Sequence, residues 1–316
     1  MMNRRRFLEK LGKAGLGLGV AQFTPSVWAM EEAFWREKGL ARITILHTND
    51  MHSHITPFPS NDPKYPNQGG MAMRAALIKK IRSEGHPVAL LDCGDIFQGT
   101  PYFNLYGGEP EFKMMSEMGY DVATFGNHDF DNGIEGLWKM MPHARFAFVN
   151  ANYKVLDAGL RKGFTPSTIL KKGDIKLGII GIGVDFEGLV SDKNHEGLAY
   201  TDPLTAMNQE ALYLKKEAKC DLVVVLSHLG YKYKENKISD LNIAAESKNI
   251  DIILGGHTHT FLDEPTVVAN AEGKKVVINQ VGWAGLRLGR IDCFFSRNGE
   301  METAFGGLIE VSEKTI

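Results

Sequence analysis

Nine short apolar runs, and the residues standing where five of them end, constrain this chain more than any other feature. The runs are "RITILHT", "PVALLDC", "DVATFG", "RFAFVNA", "IKLGIIGIG", "DLVVVLSH", "DIILGG", "KVVINQVG" and "LRLGRIDCFF". Their length and their Val and Ile content are those of strands. Between several of them lie stretches with helical spacing, at 71–83, 110–118, 203–219 and 238–248. Strands alternating with helices predict an α/β protein. The runs ending at His228 and Gly255 are apolar throughout, as expected of strands covered on both faces. From Lys274 onward strand follows strand, which predicts antiparallel strands added to a second sheet within one domain. The segment 57–70, "PFPSNDPKYPNQGG", is the longest irregular piece, and long ordered loops are often functional.

Ligand-type residues follow five of the runs. Asp50 and His52 come after the first, Asp95 after the second, and Asn127, His128, Asp129 and Asp131 after the third. His228 ends the sixth, and His257 and His259 follow the seventh. In open α/β sheets ligands bind beyond the carboxyl ends of the strands, so groups far apart in sequence can meet there. Locally extended chain would send Asp50 with His52, and His257 with His259, to one side. The glycines of "GGHTHT" and "FGNHDFDNG" would let the backbone come close to an ion. One histidine at a strand end ordinarily packs; five strand ends in order are not explained by packing, because buried charges are costly unless paired or metal-bound.

Imidazole, carboxylate and amide without thiolate favour Zn, Mn, Co or Fe(II) over a cysteine-based zinc site. Asp50, His52, Asp95, Asn127, His228, His257 and His259 exceed the needs of one tetrahedral ion. They predict two divalent metal ions roughly 3.5–4 Å apart.

The composition, 43% hydrophobic over 316 residues with a formal charge of −2, is that of a globular protein; without residues 1–29, which carry five basic residues and one acidic, the charge would be −6, which argues against nucleic acid as a partner. Residues 1–29 have a basic start, a short apolar middle and a small residue at Ala29, the pattern of a cleavable export signal. The arginines Arg4, Arg5 and Arg6 followed by Phe7 and Leu8 resemble a twin-arginine signal, which places the expected protein in the periplasm or otherwise outside the cytoplasm. The apolar middle is far shorter than the roughly 20 residues a bilayer span takes, so no permanent membrane anchor is expected. Cys93, Cys220 and Cys293 are too few and scattered for a disulfide framework and are read as buried small hydrophobes.

The blocks "ILHTNDMHSH", "CGDIFQGT", "GNHDFD", "LSHLG" and "GGHTHT" together resemble the successive signatures of the calcineurin-like metallophosphoesterases, and most closely the catalytic domain of the 5′-nucleotidase family. The resemblance runs from about Ala41 to Gly307. It implies a four-layer αββα sandwich over residues 30–316, and a dimetal site. In that site Asp50, His52, Asp95 and His259 hold one ion, and Asp95, Asn127, His228 and His257 the other. It further implies that His128 helps neutralise the substrate in the transition state and that Asp131 orients that histidine. His257 and His259 would then serve different ions.

Members of that family usually continue into a C-terminal domain that supplies aromatic residues for the base. The chain is expected to lack it, so that either the enzyme works alone on less demanding phosphate esters or a separate chain supplies the domain; with few aromatics read near the site, the separate chain is the expectation here. His47 is read as structural or as supporting a ligand; His54 and Asp92 as hydrogen-bonding to ligands; Asp129 as supporting or solvated; and His86, His143 and His195 as exposed. Three functions are carried forward. The first is hydrolysis of a small phosphate ester, a 5′-nucleotide or a related ester, by metal-activated hydroxide. The second is hydrolysis of a sulfur-containing adduct, and the third a non-catalytic metal-binding subunit.

Overall fold

The structure, a computed structural model, describes residues 41–156, 163–296 and 301–316. The leader pattern at residues 1–29 lies outside the described residues. No helix among the described residues is long and apolar enough to cross a membrane.

In chain order the strands are β1 (Ala41–Thr48), β2 (Val88–Asp92), β3 (Val122–Ala123), β4 (Ala147–Phe148), β5 (Tyr153–Val155), β6 (Ser167–Lys172) and β7 (Ile175–Gly183). They continue with β8 (Leu198–Tyr200), β9 (Leu222–His228), β10 (Ile252–Leu254), β11 (Thr266–Ala269), β12 (Lys275–Asn279), β13 (Arg287–Phe295) and β14 (Met301–Glu310). The helices are α1 (Met71–Arg82), α2 (Pro101–Tyr106), α3 (Glu109–Met118), α4 (Gly133–Met140), α5 (Pro203–Lys216) and α6 (Asp240–Glu246).

Two six-stranded sheets form, in the orders β14-β13-β1-β2-β3-β4 and β11-β12-β10-β9-β7-β6. In the first, β1 to β4 are parallel and β13 and β14 antiparallel. In the second, β7, β9, β10 and β12 are parallel, with β6 and β11 antiparallel at the edges. Period-two alternation sorts the side chains. On β9, Leu222, Val224 and Leu226 join Ile43, Ile45 and Leu91 of the other sheet in a core between the sheets. Val223 and Val225 face the other way, onto Met207, Ala211 and Leu214 of α5. A third core packs Leu46 and Leu90 against Leu77, Ile78 and Ile81 of α1 and Phe112 and Met115 of α3. Three cores between four layers make the αββα sandwich.

The chain after Lys274 departs from expectation. β12 adds to the second sheet in parallel with β10, whereas β13 and β14 return to the first sheet and lie antiparallel beside β1. The reason is packing: Ile291, Cys293 and Phe295 of β13 fill the same core between the sheets as Ile43 and Ile45. α5 ends at Lys216, before Lys219, which has a left-handed backbone (φ 55°). α6 is shorter than the 238–248 spacing because Ser239 and Ser247 at its ends are extended. α2 and α4 were not anticipated. All three cysteines are buried.

Candidate dimetal centre

Both sheets present their ligand-type residues at the carboxyl ends of parallel strands. The first supplies Asp50 and His52 beyond β1, Asp95 beyond β2 and Asn127 beyond β3; the second supplies His228 at the end of β9, with His257 and His259 beyond β10. Two groups result, Asp50–His52–His259 and Asp95–His228–His257, with donor atoms in each within 4.8 Å of one another. His52 Nε2 is 3.0 Å from His259 Nε2, which is 3.3 Å from Asp50 Oδ1. Asp95 Oδ2 lies 3.1 Å from His228 Nε2 and 3.9 Å from His52 Nε2, so it stands between the two groups. Asp50 Oδ1 also reaches toward both, at 3.9 Å from His228 Nε2. Asn127 follows Gly126, where a Cβ would lie 2.1 Å from Asp95 Oδ1 and 2.6 Å from His228 Cε1; only glycine permits that approach.

The backbone brings the paired ligands together by a route other than extended alternation. Asp50 (φ 49°), His52 (φ 47°), Asp95 (φ 54°), His257 (φ 73°) and His259 (φ 51°) are all left-handed. For residues with a Cβ this conformation costs of order 1–3 kcal/mol each and persists only where the surroundings over-determine it. Those surroundings are visible. Asp50 accepts from the His257 N–H at 2.9 Å and from Asn49 Nδ2 at 2.6 Å. Asp95 accepts from the His128 N–H at 2.8 Å. His228 Nδ1 donates to Cys93 O at 2.7 Å, which aims Nε2 at the centre.

Asp129 is not solvated. It is buried, and its carboxylate accepts from the backbone N–H groups of Asp95, Ile96, Phe97 and Gly126 at 2.8–3.1 Å. It therefore clasps the turn carrying Asp95 to the turn carrying Asn127.

Burial would push the Asp95 carboxyl up, yet the adjoining His228 ring holds it below the ordinary carboxylate range. Burial would keep His228 neutral, but Asp95 and Asp50 beside it push it up to about 10. His257 is pushed down to about 4, by burial first and then by His228. Paired carboxylates in a water-poor pocket thus attract positive charge. The donor chemistry fits divalent ions: four imidazoles, two carboxylates and an amide, no thiolate, and a buried Asn127 Oδ1 that has no hydrogen-bond partner.

His128 and Asp131 lie beside the centre. His128 Nδ1 is 2.9 Å from Asp131 Oδ2, and its ring centroid is 5.4 Å from that of His52. The hydrogen bond to Asp131 raises the His128 imidazole above its ordinary value, against the effect of burial. Asp131 is itself tied down through its carbonyl, which accepts from Asn194 Nδ2 at 2.9 Å.

The remaining sequence expectations divide. His47 is buried, and its Nε2 lies 3.1 Å from Asn279 Nδ2. Asp92 does not touch a ligand; it accepts from Thr48 Oγ1 and the Gly94 N–H and so holds the turn before Asp95. His54 makes no such bond either: its ring stacks on Phe58 at 5.0 Å and meets Trp283 edge-on. His86, His143 and His195 are not exposed but partly buried, on Thr44, Glu109 and Phe186 respectively.

Aromatics are not sparse here. The Trp283 ring lies parallel to that of His259 at 5.8 Å, and Phe58 and Tyr65 of the 57–70 loop extend the group. Neither Trp283 nor Gln280, which holds the His257–His259 loop, was anticipated. The available signal was the eighth apolar run, "KVVINQVG", which also turns polar, at Asn279 and Gln280.

Residues 43–261 match the calcineurin-like phosphoesterase family. The chain is 31% identical to the 5′-nucleotidase of Bos taurus over 304 residues, covering 90% of this chain and 52% of that protein. It is also similar to the crystal structure of a 5′-nucleotidase precursor from Thermus thermophilus, with a TM-score of 0.80 and 31% identity over 87% of this chain and 55% of that one. The Thermus thermophilus sulfate thiohydrolase SoxB shares the fold at 21% identity and a TM-score of 0.70, covering 86% of this chain and 57% of that one. The chain thus spans about half the length of these relatives. With its strand-end signatures gathered at one edge of an αββα sandwich, the chain belongs to the calcineurin-like phosphoesterase family.

Proposed function

We propose that this chain is an exported dimetal phosphoesterase acting on a small phosphate ester, a 5′-nucleotide or a related nucleotide ester. The observation that carries this reading is Asp95 standing between two three-residue ligand groups, with the His128–Asp131 pair alongside. Asp50, His52, Asp95 and His259 would hold one ion, and Asp95, Asn127, His228 and His257 the other. When bound, such a pair supplies Lewis acidity toward phosphoryl oxygens and lowers the pKa of water toward neutrality.

The chain's own residues do the rest. Asp131 fixes the His128 ring through Nδ1 and favours its charged form, leaving Nε2 as a donor to charge that develops on the phosphoryl group. The nucleotide as substrate is supported by the activity that names the bovine and Thermus relatives. Export is supported by the arginine-led pattern at residues 1–29.

The test joins metal analysis to a phosphate-release panel that includes AMP, simple alkyl phosphates and a sulfur-containing adduct. The expected outcome is two equivalents of divalent metal and phosphate release from AMP. His128→Ala should keep both equivalents while turnover falls on the order of 10²–10³-fold. Turnover of the sulfur adduct alone would replace the reading with the thiohydrolase one, and two bound ions with no turnover of any compound would make the chain a metal-binding subunit.

A further inference from the structure

The loop Gly256–Thr260 carries His257 and His259 without any regular secondary structure of its own. Gln280, one residue past β12 and completely buried, spans it from first residue to last. Its Nε2 donates to Gly256 O, and its Oε1 accepts from the Thr260 N–H and, at 3.0 Å, from Thr258 Oγ1. The Thr258 hydroxyl accepts in turn from the Tyr231 N–H at 2.9 Å, three residues beyond His228, and lies 3.0 Å from Thr260 Oγ1. One amide therefore fixes both ends of a loop in which both histidines have left-handed backbones (φ 73° and 51°), and the threonine between them links that loop to the strand end bearing His228.

We propose that Gln280, with Thr258 as its bridge, is a positioning residue that sets the spacing between the two metal sites. The inference rests on the dimetal reading, in which His257 and His259 serve different ions. A side chain that merely satisfied buried backbone groups would affect stability alone. A side chain that fixes the spacing also governs how the two ions bind relative to each other. Supporting partners of metal ligands typically contribute 10–100-fold in affinity.

The experiment uses the whole chain loaded with Mn(II), read by calorimetry and by electron paramagnetic resonance, together with amide hydrogen exchange on the metal-free protein. Wild type is expected to take two equivalents and give the spectrum of a coupled pair. Gln280→Ala and Thr258→Val, checked for folding by circular dichroism, are expected to bind the second equivalent 10–100-fold more weakly and to give the six-line signal of isolated Mn(II). Amide exchange at residues 256–260 should quicken in both without metal. Thr258→Ser, which keeps the hydroxyl, should restore wild-type behaviour.

Folded Gln280→Ala and Thr258→Val proteins with the wild-type isotherm and coupled spectrum would overturn the inference. If Gln280→Ala does not fold, the comparison of Thr258→Val with Thr258→Ser decides alone. A wild-type protein that takes up no pair of ions would instead refute the dimetal reading beneath it.

Discussion

His47 sits inside the pairing of β1 with β13, opposite Gly289, where a Cβ would lie 2.1 Å from its Nε2. That nitrogen is 3.1 Å from Asn279 Nδ2, an arrangement that suits a neutral ring with Nε2 as acceptor. Burial pushes the imidazole from its ordinary 6.5 down to about 3. The sign follows from which state binds the proton: above 6.5 the ring is neutral folded or unfolded, and between 6.5 and 3 only the unfolded chain takes a proton. Stability due to His47 is therefore present above pH 6.5 and lost as the pH falls toward 3, at about 1 kcal/mol per pH unit. Urea unfolding between pH 4 and 7 should show a slope steeper in wild type than in His47→Gln by about this amount, the other titrating groups being common to both; equal slopes would disprove it. At this scale the sequence was legible where chemistry repeats in blocks. "GNHD" and "GGHTH" mark residues that the fold gathers at one place. It was illegible where burial decides: nothing in "HDFD" distinguishes the enclosed Asp129 from the half-exposed Asp131.

Asp129 also shows how separate elements are joined. Four backbone N–H groups, from the turns after β2 and β3, end on its one carboxylate. Each such buried donor left without an acceptor costs about 1–3 kcal/mol. Asp129→Ala should therefore lose about 3 kcal/mol or more of stability in the metal-free protein, with Asp129→Asn losing less. Denaturant titration measures both, and a loss within experimental error for the alanine variant would rule out the clasp. The elements themselves were readable to different degrees. β9 and β10 announce themselves by unbroken apolar runs, and α1 and α3 by their spacing. α2 spans only six residues, too few to show a period, and in β14 Gly306 and Gly307 interrupt the alternation. β13 was seen as an antiparallel strand but placed in a second sheet rather than beside β1, because pairing across more than two hundred residues leaves no local trace.

Over the whole molecule, each ligand group draws on both sheets: Asp50 and His52 come from the first and His259 from the second, while Asp95 comes from the first and His228 and His257 from the second. Cations bound there join the two halves of the sandwich, and a ligand that binds only the folded state stabilises it by about 3 kcal/mol when present at a hundred times its dissociation constant. Chelation is therefore expected to lower the melting temperature by roughly 5–10 °C, and re-addition of Mn(II) or Zn(II) to restore it. A melting curve indifferent to chelator would show that the sheets are not bridged. The left-handed turns at Asp50, His52, Asp95, His257 and His259 set a limit on such a design. Glycine would suit those five positions better as backbone and abolish them as donors, so sturdiness and chemistry pull in opposite directions here. A descendant selected only to endure heat would drift toward a calmer and inert protein.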